Sequence, residues 1–162
     1  MFAESYLTRT DLESCLRENA FFNYAAQNWA YHIQDIQQSV GDLALKFLID
    51  DRKASTSSQA LFLHPRPRFH GMHLGAYFGL NNIMVRLLEE KDPDSKDSSG
   101  RTPLSYATEN GNARLVELLL SYNIDINFKC DRGWTPLSRA VEGGSAAVVQ
   151  TLLTKGVKID LH

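Results

Sequence analysis

Apolar residues in the last third of the chain recur at helical spacing. Between residues 115 and 120, and again between 148 and 153, they fall at positions i, i+1, i+4 and i+5. This spacing places them on one face of an α-helix and leaves the other face polar. The sequence therefore predicts two amphipathic helices, whose buried residues are Leu115, Val116, Leu119 and Leu120 in the first and Val148, Val149, Leu152 and Leu153 in the second.

A shorter helix is predicted ahead of each of these. Thr102 and Thr135 can cap a helix N-terminus, and the proline after each fits the first helical position, where its missing N–H costs nothing. Gly111 and Gly144 follow about two turns later, where a positive φ can end the helix and reverse the chain. Each unit is thus predicted to be a short helix, a turn and a second helix.

The two units repeat one another at a fixed distance. The segment Gly133 to Leu137 restates Gly100 to Leu104 with an offset of 33 residues, and the register holds to the end of the unit. An earlier copy lies 32 residues ahead, with Met72 in place of Leu104. Because a pair of short helices cannot bury its own apolar face, neighbouring units must stack. The predicted fold is an all-α solenoid of about three repeats.

The repeated pattern resembles the ankyrin repeat. Its Gly-x-Thr-Pro-Leu start, small residue pair, glycine and closing Leu-Leu pair are present at Gly100 to Leu120 and at Gly133 to Leu153. In the first unit, His70-Gly71 stands where the family has Thr-Pro, and Met72 to Ala76 stands where it has Leu-His-x-Ala-Ala. The resemblance implies an ankyrin array over residues 64–162, with repeats at about 68–97, 98–130 and 131–162.

Residues 1–63 lack this period but are helical in pattern. A helix from about Ala20 to Gln38 would bury residues spaced three or four apart, and another, from Asp42 to Asp50, would bury Leu43, Phe47 and Leu48. Repeat arrays need a cover for the end of their core. We therefore expect residues 1–63 to form a divergent N-terminal helical cap.

Part of this region has a second, narrower resemblance. The segment Tyr24 to His32, with Ser5 to Leu7 before it, is similar to the helical junction that precedes the ankyrin array in fungal NACHT-ankyrin proteins. The chain contains no Gly-rich phosphate loop ending in Lys-Ser/Thr, so the ATP-driven switch of such proteins is not expected. The resemblance implies a fungal, intracellular protein.

Composition argues against several classes of function. The 162 residues include 17 Lys and Arg against 19 Asp and Glu, so no basic field favours nucleic acid or an anionic membrane. The apolar runs are too short to span a bilayer, and the acidic N-terminal residues do not suit a secretory signal. Cys15 and Cys130 lack the spacing of a disulfide framework or a zinc site. We expect a protein of the cytoplasm or the nucleus.

Histidines are the first candidates for chemistry. His64, His70 and His73 cluster in sequence, and the last two are three residues apart across a helix start, where both could face one metal ion. No acidic residue completes an HExxH motif. In ankyrin repeats the histidine at the place of His73 bonds neighbouring loops, so we favour a structural role and predict no metal and no cofactor.

Two functions remain open. The favoured one is a binding module or scaffold for a protein partner, which would use variable positions in the fingertip loops and inner helices: Arg101, Tyr106, Glu109, Trp134, Arg139 and Glu142. No catalytic set can be assembled by spacing. The alternative is a small-molecule-binding protein or an enzyme with a groove between the N-terminal helices and the first repeat, for which the candidates are His32, Arg66, Arg68, His70, His73 and Tyr77.

The far side of the third repeat is expected to face water. No polar helix pair follows it, and the exposed surface would include parts of Ala147, Val148, Thr151 and Leu152. An apolar end of this kind tends to be covered by a partner, a second copy or a continuation of the chain. We therefore predict weak self-association through this end, or fraying of the last helix.

Overall fold

The computed structural model describes residues 45–46, 48–52, 54–55 and 69–158. Within them, six helices form three pairs: α1 (Gly71–Phe78) with α2 (Asn81–Leu87), α3 (Pro103–Glu109) with α4 (Ala113–Leu120), and α5 (Pro136–Glu142) with α6 (Ala146–Thr154). The described residues between 45 and 55 are also mostly helical, and none of the residues placed is in a strand. The predicted all-α class is confirmed.

The three pairs stack side by side. The first helices, α1, α3 and α5, pack against one another in order, and the second helices, α2, α4 and α6, do the same. Two finger loops, residues 94–101 and 127–134, join consecutive pairs. One core runs through the stack, with fully buried side chains from every pair, among them Met72, Leu74, Met84, Leu87, Leu104, Leu115, Leu119 and Leu152. The predicted solenoid of about three repeats is confirmed.

Threonines cap two of the first helices, as the sequence predicts. Thr102 Oγ1 accepts a hydrogen bond from the N–H of Ser105, and Thr135 Oγ1 accepts one from Ser138. Each serine hydroxyl in turn accepts from the N–H of its threonine, at 3.3 and 2.8 Å. This reciprocal pair satisfies two backbone donors that a helix start leaves free.

The second helices begin at short polar caps that the sequence analysis missed. The side chains of Asn112 and Ser145 accept from the third N–H of α4 and α6. Gly111 and Gly144 precede them with a φ of 69°, which confirms the predicted turns. The left-handed conformation lets the chain reverse in three residues, so that each second helix folds back along its first.

The side of the first repeat that faces the N-terminus is covered. Leu48 is fully buried, and its carbonyl oxygen lies so close to Gly71 that a Cβ there would collide with it. Lys91 Nζ donates to the carboxylate of Asp51 at 2.9 Å. Burial of Leu48 was predicted. The remainder of the predicted cap, including the helix expected at 20–38 and the side chains of residues 43 and 47, lies outside the described residues.

The far side of the third repeat differs from the prediction. Val148 and Leu152 are fully buried, because α6 packs against α4 and α5, so the expectation that they face water is wrong. The exposed apolar residues are Val141, at 62%, and Leu153, at 41%, although Leu153 was expected in the core. Ala147 is exposed as predicted. Among the helices placed by the structure, none is long and apolar enough to cross a bilayer.

Candidate functional site

His73 holds the first finger loop in place. Its Nε2 donates to the carbonyl oxygens of Ser95 at 2.9 Å and Arg101 at 3.2 Å, while its Nδ1 accepts from the N–H of His70 at 3.1 Å. This arrangement requires the neutral ring with its proton on Nε2, and burial lowers the pKa of His73 to about 4. The predicted structural role is confirmed. Because both ring nitrogens are engaged, His73 is a poor metal ligand.

Asp97 organises the same finger loop, and the sequence analysis did not single it out. Its Oδ1 accepts from the N–H groups of Ser99 at 2.8 Å and Arg101 at 2.9 Å, and its Oδ2 accepts from the Tyr106 hydroxyl at 2.5 Å. The carboxylate belongs to a residue that is only 4% exposed. An aspartate followed by two serines and a glycine is typical of a turn and was the available signal.

Three of the predicted partner-binding residues form a cluster on the second repeat. The guanidinium of Arg101 lies over the Tyr106 ring, with Cζ 4.0 Å from the centroid, and donates to the Glu109 carboxylate. The side chain of Arg101 is 12% exposed and that of Glu109 is 38% exposed. Tyr106 itself is 1% exposed, so its predicted contact with a partner is wrong. Its ring supports the arginine instead.

The other three predicted residues form a matching cluster on the third repeat. Arg139 Cζ lies 4.9 Å from the centroid of the Trp134 ring, and Arg139 Nη1 donates to Glu142 at 2.9 Å. The arginine side chain is again 12% exposed and the glutamate is 51% exposed. Trp134 is 38% exposed, so in this cluster the aromatic residue lies at the surface.

The two clusters are equivalent, but the arginine and the aromatic residue have exchanged places. The aligned pairs, 33 residues apart, are Arg101 and Trp134, Tyr106 and Arg139, and Glu109 and Glu142. A cation is attracted to the face of an aromatic ring whichever backbone position contributes which partner. Both repeats therefore hold an arginine between a ring and a carboxylate, and they differ in the side chain that the finger loop presents.

The alternative small-molecule site is described only in part. Three of its candidates lie outside the described residues: His32, Arg66 and Arg68. His73 is buried and bonded to the finger loop. His70 is partly exposed, with Nδ1 3.8 Å from the Asp51 carboxylate, and Tyr77 is half-buried with its ring 5.0 Å from that of Phe78. The described residues include no cluster of three metal-ligating side chains. The groove stays a prediction.

Comparison with known proteins agrees with this architecture. The family described as "Ankyrin repeats (3 copies)" matches residues 72–162, which is more than half of the chain. The chain belongs to the ankyrin-repeat family. The crystal structure of the human ASB11 ankyrin repeat domain is similar, with a TM-score of 0.54 and 27% sequence identity over 56% of this chain and 42% of that one.

Curated relatives share short stretches with the chain. Delta-latroinsectotoxin-Lt1a of Latrodectus tredecimguttatus is 41% identical over 64 residues, which are 38% of this chain and 5% of the toxin. A putative ankyrin repeat protein of Fowlpox virus is 45% identical over 47 residues, or 28% of this chain and 7% of that protein. Mouse ARF GTPase-activating protein GIT2 is 32% identical over 77 residues, or 46% and 11%. The chain thus spans about a tenth or less of these relatives.

Ankyrin arrays are protein-interaction modules, since a stack of repeats presents an extended surface to a partner. The predicted function as a protein-binding module is confirmed at this level.

The first prediction concerns acid stability. Because the pKa of His73 falls from its ordinary value of 6.5 to about 4 on folding, the unfolded chain binds more protons between these pH values. The free energy of unfolding should rise with pH across that window, be complete above it, and lose up to about 3 kcal/mol on acidification. Urea unfolding of wild type and His73→Asn measures this. The variant should be less stable at pH 7, with a flatter pH dependence, and an unchanged slope would contradict the assignment.

The second prediction concerns the buried carboxylate. Tyr106→Phe keeps the ring under Arg101 but removes the donor to Asp97, and a hydrogen bond to a charged group contributes about 1.5–3 kcal/mol. We expect a loss of stability of that size in urea unfolding. Tyr122→Phe is the matched control, because Tyr122 is half-buried beside the same core, and it should change stability by about 0.5 kcal/mol or less. Equal effects of the two variants would show that the bond to Asp97 is not special.

Proposed function

We propose that the chain binds a protein partner through a binding strip made of the surface members of the two clusters: Arg101, Glu109, Trp134, Arg139 and Glu142. The exposure of Trp134 carries this proposal. Of the large hydrophobic residues exposed in the described part of the chain, it is the aromatic one, and it lies in a finger loop. Tryptophan and arginine are the side chains most often found at the energetic centre of an interface.

The two arginines of the strip are already held in one orientation. Each is stacked on a ring and paired with a glutamate, so little side-chain freedom remains to be lost on binding. The carboxylates of Glu109 and Glu142 are more exposed than the guanidinium groups, and they supply polar contacts around Trp134. These features support a preformed surface that binds without rearrangement of the repeats.

The third prediction tests the strip. Trp134→Ala and Arg139→Ala should each weaken binding of a purified partner by about tenfold or more, in line with hot-spot losses of about 2 kcal/mol. Arg114→Ala is the control, because Arg114 is an exposed arginine on the second helix α4, outside the strip. Calorimetric titration measures the affinity, and circular dichroism checks the fold. If both strip variants bind like wild type while remaining folded, the strip is not the binding surface.

The exposed end of the third repeat supports a second proposal, weak self-association. Val141 and Leu153 present apolar side chains there. As the fourth prediction, the sedimentation coefficient should rise gradually with protein concentration, and Val141→Lys should abolish the rise, because it places a charge on that surface. A coefficient that does not depend on concentration would contradict this proposal.

The finer resemblances concern origin and organisation. We propose a division at residue 63, with 1–63 as a cap and 64–162 as the array, and the contacts of Leu48 and Asp51 with the first repeat support it. The segment from Tyr24 to His32 supports a relation to fungal NACHT-ankyrin proteins and an intracellular location, in the cytoplasm or nucleus. Deletion of residues 1–63 tests the cap, since α1 would then lose the cover that Leu48 provides.

A further inference from the structure

The end of the third repeat exposes positions that are buried elsewhere in the stack. Val141 of α5 is 62% exposed, whereas its equivalents, Ala76 of α1 and Thr108 of α3, are both 0% exposed. α3 packs against α1 and α5 packs against α3, so a following helix covers these positions in the first two repeats. Leu153 shows the same trend, at 41% against 6% for Leu88. This surface, the end face, consists of Leu137, Val141, Gly144, Val149 and Leu153.

The glycine turns show what approaches this position in the earlier repeats. A Cβ on Gly79 would collide with the side chain of Asn112, and a Cβ on Gly111 would lie 3.1 Å from the Cβ of Ser145. Asn112 and Ser145 are the N-caps of the next second helices, α4 and α6. Nothing in the described part of the chain lies within 4 Å of a Cβ on Gly144. The place that a following N-cap would take is open.

The finger loops show the same difference. A Cβ on Gly100, in the first finger loop, would meet the side chain and backbone of Asp131 in the second, and the Asp131 N–H donates to the carbonyl of Ser99 at 3.1 Å. Gly133 is the equivalent position in the second finger loop, and a Cβ placed there would have no described atom within 4 Å. Both the turn and the finger of the third repeat therefore lack the neighbour that their equivalents have.

The hydrogen bonds between repeats continue as far as Lys158. The Asp125 N–H donates to Asp94 Oδ2 at 3.2 Å, and the Lys158 N–H donates to Asn127 Oδ1 at 2.7 Å, which is the same bond one repeat later. Lys158 is thus placed as the residue that precedes a finger loop in each earlier repeat. Its backbone leads toward the open side of Gly133 and Gly144.

We propose that the end face docks a further helix pair of ankyrin register. Its first helix would cover Val141 with a small or apolar residue, and its second helix would begin with a short polar cap against Gly144. A single amphipathic helix would cover Val141 but leave the turn or the finger open. The proposal is independent of the binding strip, which lies on other residues.

Appending one repeat to the full chain tests this proposal. The addition is a copy of residues 130–162 placed directly after His162, which keeps the 33-residue register, with lysine and glutamate at its copies of Val141 and Leu153 so that the new end is polar. We expect a higher urea midpoint and hydrogen exchange in α6 slowed by about tenfold or more, because neighbouring repeats stabilise one another. A Gly/Ser tail of equal length is the baseline.

Val141→Lys is the matched variant. In the unextended chain it lies on an exposed surface and should leave the urea midpoint unchanged. In the extended chain it would bury a charge and should remove most of the gain. Unchanged exchange in α6 after extension, or an equal loss from Val141→Lys in both chains, would overturn the proposal.

A second copy of the chain is the competing occupant. Sedimentation of the unextended chain separates the two. A dimer that persists at roughly micromolar concentration and is dissociated by Val141→Lys would overturn the proposal, since a second copy would then fill the end face. Association only at much higher concentration, removed by the added repeat, would support it.

Discussion

No repeat of this chain can bury its apolar face alone, and this constraint determines the rest of the structure. A pair of short helices has one apolar side toward its own turn and another toward the next pair. Leu104 and Leu119 are fully buried because the second repeat has a neighbour on both sides. Val141 has the same register without the second neighbour, and it is exposed. The core, the finger loops and the binding strip all depend on stacking, because the residues that form each of them come from more than one element.

Stacking also fixes the polar groups, and these connect the core to the surface. His73 and Asp97 are buried, and their hydrogen bonds go to the backbone of the first finger loop. Leaving such groups unpaired in the interior would cost more than a typical hydrogen bond stabilises, so the loop has one conformation in which all of them are satisfied. Tyr106 extends the network, since its hydroxyl reaches Asp97 while its ring supports Arg101. The position of a surface arginine is thereby set by a buried carboxylate.

Local features of this fold were predictable from the sequence, and features that depend on neighbouring repeats were not. The caps at Thr102 and Thr135 and the turn at Gly111 involve residues a few positions apart, so the pattern itself specifies them. The i, i+1, i+4, i+5 pattern identifies an apolar face but does not divide it between the pair's own turn and the next pair. For that reason Leu153 was expected to be buried. Tyr106 was placed at the surface for a similar reason, because its partner Asp97 belongs to a loop whose course depends on His73.

The exchange of arginine and aromatic residue between the second and third repeats shows how the array separates stability from recognition. In both repeats an arginine is stacked on a ring and bonded to a glutamate, so the local energetics are alike. What changes is the group offered to solvent: Arg101 covers a buried tyrosine, whereas Trp134 is itself exposed over Arg139. A change of partner specificity can therefore arise at one finger loop without altering the support beneath it. This separation is available only because each cluster closes within its own repeat, while the stacking surfaces, which must match their neighbours, lie on other faces of the same helices.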